Sequence, residues 1–131
     1  DVMAESDAVV LCVPHTPETE KMIDGPIFKA MKPGCVLVNI ARGQVVDEEA
    51  MIEALKSGHL GSAALDVAAI EPLAAESPLW DLTNVLISPH SASTVDTENE
   101  LITNLFIHNM DCMLNDTPDQ MKNRFDTTRG Y

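Results

Sequence analysis

The stretch CVLVNIA, Cys35 to Ala41, is apolar at every position except Asn39 and is too short for a typical helix. A strand with one face in water alternates apolar and polar residues, whereas a strand buried on both faces reads as a continuous apolar run. Runs of the same kind recur at AVVLCV (Ala8 to Val13), SAALDV (Ser62 to Val67) and NVLIS (Asn84 to Ser88). Helical signals lie between them. Thr16-Pro17 reads as an N-cap followed by proline at the first helical position, and Asp24 caps a short helix that ends at the KPG turn. Asp47 caps EEAMIEALKSG, where Glu48 and Glu49 meet the positive end of the helix dipole, Lys56 lies in the last turn and Gly58 supplies the stop. Strand and helix alternate, which predicts an α/β fold with a doubly wound parallel sheet covered on both faces.

The 131 residues are 45% hydrophobic, enough for one modest domain with a core. Aspartate and glutamate number 21 against 8 lysines and arginines, a formal net charge of -13, so nucleic acid and anionic membrane surfaces are poor partners. No apolar run approaches the roughly 18 to 20 residues of a bilayer crossing, and DVMAESDAVV lacks the basic start and long apolar stretch of a signal peptide. Guanidinium groups are scarce, being confined to Arg42, Arg124 and Arg129. Cys12, Cys35 and Cys112 have no CxxC spacing and read as buried, reduced thiols of a cytoplasmic protein. From Val95 to about Leu114 the residues Leu101, Ile102, Leu105, Phe106, Met110 and Met113 form a stripe at helical spacing, read as a packing face. From Asn115 to Tyr131 the chain is polar and carries no predicted element.

A dinucleotide fold places a glycine-rich turn between its first strand and helix, because only glycine lets the backbone approach a pyrophosphate. Here Gly25, Gly34, Gly43, Gly58, Gly61 and Gly130 form no GxGxxG. Either the chain is not a dinucleotide protein, or the half that carries the turn lies outside it, as a start without methionine also suggests.

Polar residues stand just beyond the apolar runs: Asn39 and Arg42 after VLV, Asp66 and Glu71 in LDVAAIEP, His90 after LISP. The carboxyl ends of strands in an open parallel sheet border the ligand crevice. Taken singly, Arg42 reads equally well as a structural arginine, Asp66 as a turn cap, Glu71 as a loop carboxylate and His90 as a packed histidine. Their combination points further. A carboxylate beside an imidazole favours the protonated ring, and a guanidinium fork suits a carboxylate ligand. The set is suited to donating a proton to a carbonyl oxygen while a hydride attacks the carbon. An acyl-transfer triad of His90 with Ser91 or Ser93 lacks a G-x-S-x-G elbow, and a metal site from Asp66, Glu71 and His90 lacks a compact ligand pattern, so no metal is expected.

VPHTPET, MKPGCVLVNIARGQVVDEEAMIEALKSGHLGSAALDV, EPL, SPLWDLTNVLISPH and the closing RGY follow one another in order, covering most of Ala8 to Thr94 and the tail. In these motifs the chain resembles the D-isomer-specific 2-hydroxyacid dehydrogenases. The resemblance implies the back half of a Rossmann-type doubly wound parallel sheet, the C-terminal half of an NAD(P)-binding domain over residues 1–93. Residues 94–131 then form a crossover helix and tail returning to a substrate domain. It further implies that His90 is the acid/base, Glu71 its partner carboxylate and Arg42 the anchor of the substrate carboxylate. Asp66 matches the acid near the nicotinamide carboxamide, Val13, Pro14 and Thr19 the adenosine-side loop, and Ile40, Ala41 and Ala92 the nicotinamide lining. Ala68 stands where relatives often have an aromatic residue, and Ser93 where many have glycine or alanine.

The activity implied is NAD(P)-dependent reduction of a small 2-oxo acid of the glyoxylate or hydroxypyruvate type, by a cytoplasmic homodimer when the chain is full length. The cofactor is NAD or NADP, a choice the residues present leave open. The alternatives are a non-catalytic NAD-sensing or interaction protein, as the family's corepressor relatives are, and an inactive truncated product. The 131-residue chain alone is expected to be inactive and aggregation-prone, with AVVLCV as an exposed strand edge and the stripe from Leu101 to Met113 without its partner surface.

Overall fold

The computed structural model describes residues 2–128; the RGY motif, with Arg129 and Gly130, lies outside the described residues. In chain order the elements are α1 (Val2–Glu5), β1 (Ala8–Leu11), α2 (Gly25–Ala30), β2 (Cys35–Asn39), α3 (Glu48–Lys56), β3 (Leu60–Leu65), β4 (Val85–Ile87) and α4 (Glu98–Leu114). Short 3-10 turns occupy Gly43–Val45, Pro78–Asp81 and Pro118–Gln120. The chain forms two compact units, residues 1–92 and 93–131.

The first unit is a parallel sheet in the order β1-β2-β3-β4, as the apolar runs predict and as the Rossmann-type fold implied by the resemblance requires. Helices α2 and α3 cross between the first three strands, and an irregular loop joins β3 to β4. Both helices start as the sequence predicts. The Asp24 side chain accepts from the Ile27 N–H at 3.1 Å and that of Asp47 from the Ala50 N–H at 3.1 Å. Each supplies a partner to a backbone donor that a helix end leaves unpaired. Helix α3 stops where Gly58 takes a φ of +74°, a conformation that costs other residues a Cβ clash.

Burial alternates along the strands. Val9 and Leu11, Leu37, and Ala63 and Leu65 join Phe28 of α2, Met31 at its C-cap, and Met51, Ala54 and Leu55 of α3 in one core, with Leu37 fully buried. The residues between them are less covered: Val36, Val38 and Ala64 are half-buried, while Val10 and Leu86 are 56% and 68% exposed. Among the described residues, therefore, only one face of the sheet has the cover that unbroken apolar runs predict.

Two further expectations are corrected. Thr16-Pro17 opens no helix; Thr19 and Glu20 both donate to the Thr16 carbonyl, then Lys21 turns to a φ of 48°. A single turn that cannot propagate does not repay helix nucleation. Cys12 is exposed rather than buried, since β1 ends at Leu11 and the thiol falls on the loop beyond it; Cys35 and Cys112 are buried, and all three are free. In the second unit α4 is the predicted helix, and its apolar stripe stands uncovered, as expected of this chain by itself: Leu101, Ile102, Phe106 and Met113 are each about 60% exposed. Within that unit the helix is met by the short turn at Pro118–Gln120, where His108 Nε2 donates to the Gln120 carbonyl at 3.0 Å and Asn109 exchanges two hydrogen bonds with Lys122.

The two kinds of contact that build the first unit differ in magnitude. Truncating the fully buried Leu37 leaves a cavity, and Leu37→Ala is expected to cost about 2–5 kcal/mol. Asp47→Ala removes one cap and is expected to cost about 1 kcal/mol. Denaturant unfolding of the complete protein checks both; equal losses would contradict the placement of Leu37 at the centre of the core.

Candidate active site

Leu11, Asn39, Leu65 and Ile87 stand in register at the carboxyl ends of the four strands. The ladder runs one step further: the N–H groups of Ile40, Asp66 and Ser88 donate to the carbonyls of Leu11, Asn39 and Leu65 at 3.3, 3.0 and 2.9 Å. All four chain exits therefore open on one edge of the sheet.

The β2 exit is shaped by Asn39, whose side chain is buried and fully engaged. Its Oδ1 accepts from the Ala41 N–H at 3.0 Å and its Nδ2 donates to the Arg42 carbonyl at 3.0 Å. That turn buries Ala41 and leaves Ile40, 45% exposed, and Arg42 on the open side. Arg42 Nη1 donates to the Ala41 carbonyl at 2.6 Å. Among the described residues Arg124 lies 4.0 Å from Asp119, whereas Arg42 enters no ion pair.

The β3 and β4 exits are tied together by Asp66, itself nearly covered. Its Oδ1 accepts from Ser88 Oγ at 2.5 Å and the Ser91 N–H at 2.9 Å, and its Oδ2 from the Ala92 N–H at 2.8 Å. The Ser88 hydroxyl first, then the amides of Ala92 and Ser91, hold its carboxyl below the usual aspartate value. These bonds bracket His90, which has a φ of 52°. That left-handed conformation costs a histidine about 1 kcal/mol or more, and it persists because the residues on either side are held.

Glu71 completes the group. Its Oε2 accepts from His90 Nδ1 at 2.8 Å and its Oε1 from the Ala68 N–H at 3.0 Å. The hydrogen bond from His90, followed by that from Ala68, lowers the Glu71 carboxyl, and the charges of His90 and Arg42 add to the effect. With the His90 and Glu71 side chains 45% and 40% exposed, water screens the pair, and its ionic energy is about 1 kcal/mol or less. Its effect is orientation. Nδ1 is committed to Glu71, while Nε2 makes no hydrogen bond to a described residue and is free to meet a ligand. A cavity of about 330 Å³ lies beside the pair, walled by Val67, Leu79, Trp80 and Ile87.

Hydrogen bonds thus join Asp66 to Ala92 and Glu71 to His90, and Ile40, Ala41 and Arg42 occupy the adjoining exit. The three residues expected on the adenosine side lie on the β1 exit: Val13 half-buried, Pro14 exposed, and Thr19 folded back into the loop. The Thr19 hydroxyl donates to the Pro14 carbonyl at 2.7 Å and accepts from the Thr16 N–H at 2.7 Å, so it holds the loop's shape. Two features escaped the sequence reading. Ser88 is opposite Asp66 because Ile87 pairs with Leu65, which only the strand register reveals. Gln44 and Glu48 reach the Ala69 backbone across 25 and 21 residues, with no local signal.

The D-isomer specific 2-hydroxyacid dehydrogenase NAD binding domain model matches residues 1–92. The chain belongs to this family. A glyoxylate reductase of Pyrococcus furiosus is 46% identical over 110 residues, 84% of this chain and 32% of the relative. A D-3-phosphoglycerate dehydrogenase of Mycobacterium leprae is 42% identical over 106 residues, 80% of this chain and 20% of the relative. Among solved structures, a D-isomer specific 2-hydroxyacid dehydrogenase of Xanthobacter autotrophicus Py2 in complex with NADPH superposes with a TM-score of 0.90 at 39% identity, covering 98% of this chain and 52% of that one. An NADPH-dependent glyoxylate/hydroxypyruvate reductase of Sinorhizobium meliloti in complex with NADP gives 0.88 at 30% identity, covering 98% and 41%. The chain thus spans a fifth to about half of these relatives' lengths.

The strand edge fits one part of a nicotinamide dinucleotide. The exposed Ile40, next to buried Ala41, leaves an apolar side chain open at the β2 exit beside Arg42. No glycine-rich cradle for a pyrophosphate is present in the sequence.

Because the Glu71 and Asp66 carboxyls are held low in the folded state, their stabilising effect is present above the ordinary values of 4.5 and 3.8 and is lost as pH falls through the lower folded ones. Melting temperature measured from pH 7 down to pH 3 should fall less steeply in Glu71→Gln than in the wild type. Identical slopes would show that the His90–Glu71 bond does not form in solution.

Proposed function

We propose that the complete protein reduces a small 2-oxo acid of the glyoxylate or hydroxypyruvate type with NADH or NADPH, and oxidises the corresponding 2-hydroxy acid in reverse. The observation that carries this reading is the Arg42 guanidinium, which enters no ion pair among the described residues, at the strand exit adjoining the one that leads to Glu71, the carboxylate that holds Nδ1 of His90. Arg42 is the anchor for the substrate carboxylate, its planar fork matching the two oxygens. That contact turns the neighbouring carbonyl toward His90. In the protonated ring Nε2 carries the proton that passes to the carbonyl oxygen, and Glu71 keeps Nδ1–H in place throughout, so the imidazole leaves the step neutral in a single tautomer. The nicotinamide, when bound, supplies the hydride to the carbonyl carbon.

Asp66, Ile40, Ala41 and Ala92 are proposed to border the nicotinamide, and Val13, Pro14 and Thr19 the adenosine side. Asp66 has already given Oδ1 to two donors and Oδ2 to one, which leaves Oδ2 the better placed to accept from a carboxamide. The enzyme is further proposed to be a cytoplasmic homodimer. Three free thiols together with a net charge of -13 support a reducing, soluble setting. No helix among the described residues is long and apolar enough to cross a membrane.

Two substitutions test the roles in the complete protein. His90→Ala removes proton donation, and kcat for glyoxylate or hydroxypyruvate is expected to fall about 100-fold or more with little change in KM. Wild-type turnover in that variant would refute the assignment. Arg42→Lys keeps the charge but loses the fork, so the KM for the oxo acid should rise about tenfold or more while that for the nicotinamide cofactor stays put. An unchanged oxo-acid KM would remove Arg42 as the anchor.

A further inference from the structure

The Arg42 turn and the Glu71 loop leave different strands, yet they meet at one peptide group. A Cβ on Gly43 would lie 1.9 Å from both the carbonyl carbon and the oxygen of Ala68, and 2.3 Å from the Ala69 nitrogen. Gly43 therefore rests directly on the Ala68–Ala69 peptide, an approach any side chain would block. Two side chains of the same segment grip Ala69 from either side. Glu48 Oε2 accepts from its N–H at 3.0 Å, and Gln44 Nε2 donates to its carbonyl at 3.0 Å. Ala68 in turn donates its N–H to Glu71 Oε1, whose other oxygen holds His90. A continuous set of contacts thus runs from Arg42 through Gly43 and Ala68 to Glu71 and His90.

The grip matters because residues 68–71 have no helix or strand to place them. Gln44 and Glu48, in contrast, belong to a 3-10 turn and to the first turn of α3, both seated on the core through Val45 and Met51. The helix dipole alone does not account for Glu48, since Glu49 in the same turn serves the dipole equally and makes no bond to Ala69. The carboxylate and carbonyl of a 2-oxo acid are directly bonded, so the cation that holds one and the acid that serves the other must keep a matched spacing.

We propose that Gln44 and Glu48 are positioning residues that clamp the Ala69 backbone, one at its carbonyl and one at its N–H, and thereby set the spacing between Arg42 and the Glu71–His90 pair. The kinetic consequence rests on the reductase reading above; the structural one does not. The test uses the complete protein with Glu48→Ala, Glu48→Gln, Gln44→Ala and, as control, Glu49→Ala. In Glu48→Ala, kcat/KM for the 2-oxo acid falls about tenfold or more while the KM for the nicotinamide cofactor is unchanged, the signature of misplaced groups. Glu48→Gln, whose Oε1 still accepts from Ala69, restores most of the loss. Glu49→Ala, which removes the same dipole charge without touching the loop, does not reproduce it. The ¹⁵N signals of the His90 imidazole, which report the Nδ1–H bond to Glu71, shift in Glu48→Ala and Gln44→Ala and return in Glu48→Gln. That readout needs no turnover, so a protein that reduces no 2-oxo acid still tests the clamp. Wild-type kinetics with unshifted His90 signals in Glu48→Ala and Gln44→Ala overturn the proposal, as do equal effects in Glu48→Ala and Glu49→Ala. Should Glu48→Ala fail to fold, Gln44→Ala decides by the same two readouts.

Discussion

The carboxylate of Asp66 holds together the edge of the sheet where β3 and β4 end. It receives Ser88 Oγ and the backbone N–H groups of Ser91 and Ala92, three donors that lie on both sides of His90. A histidine at a φ of 52° is a conformation the backbone does not choose unaided. With its flanks fixed, the imidazole has one place to go, and Glu71 meets it there at 2.8 Å. Asp66 can do this only because β3 and β4 are parallel and in register, so that the exit of one strand faces the exit of the next.

Charge is used sparingly in this edge. In a chain of net charge -13, three of the seven lysines and arginines among the described residues face carboxylates: Lys21 meets Asp47, Lys32 Asp7 and Arg124 Asp119. These pairs are largely exposed and contribute little to stability. Arg42 stands apart from them, its turn shaped by the buried Asn39 amide and its fork left without an anion of the protein's own. The hydrogen bonds that lower the Glu71 and Asp66 carboxyls keep both groups ionised near neutral pH. Ionised, they can accept from His90 and from the β4 exit and have no proton of their own to give.

Much of the architecture was legible before any coordinates. Four uninterrupted apolar runs announced a parallel sheet, and the caps at Asp24 and Asp47 were read correctly because capping is local, a side chain serving an N–H three residues on. The same locality misled at Thr16-Pro17, where the capping pair is present but the chain turns away at Lys21. Cys12 was misread because an apolar run does not reveal where its strand stops. The α4 stripe was recognised as apolar and helical, yet burial depends on what lies opposite, which periodicity does not encode.

The sequence by itself determined the elements and the candidates: an α/β chain whose Arg42, Asp66, Glu71 and His90 fall just past strand ends, in motifs shared with the 2-hydroxyacid dehydrogenases. Those properties follow from residue type and short spacing. Only the tertiary structure decided which of these groups touch. The bond from His90 to Glu71 spans 19 residues and those from Asp66 span 22 to 26. The grip of Gln44 and Glu48 on Ala69 spans 25 and 21. Contacts at such separations are set by strand register and by how closely two exits pack, as where Gly43 lies on the Ala68–Ala69 peptide. Register is a relation between distant segments, fixed by the joint burial of Val9, Leu37 and Ala63 against α2 and α3, and no short stretch of sequence carries it.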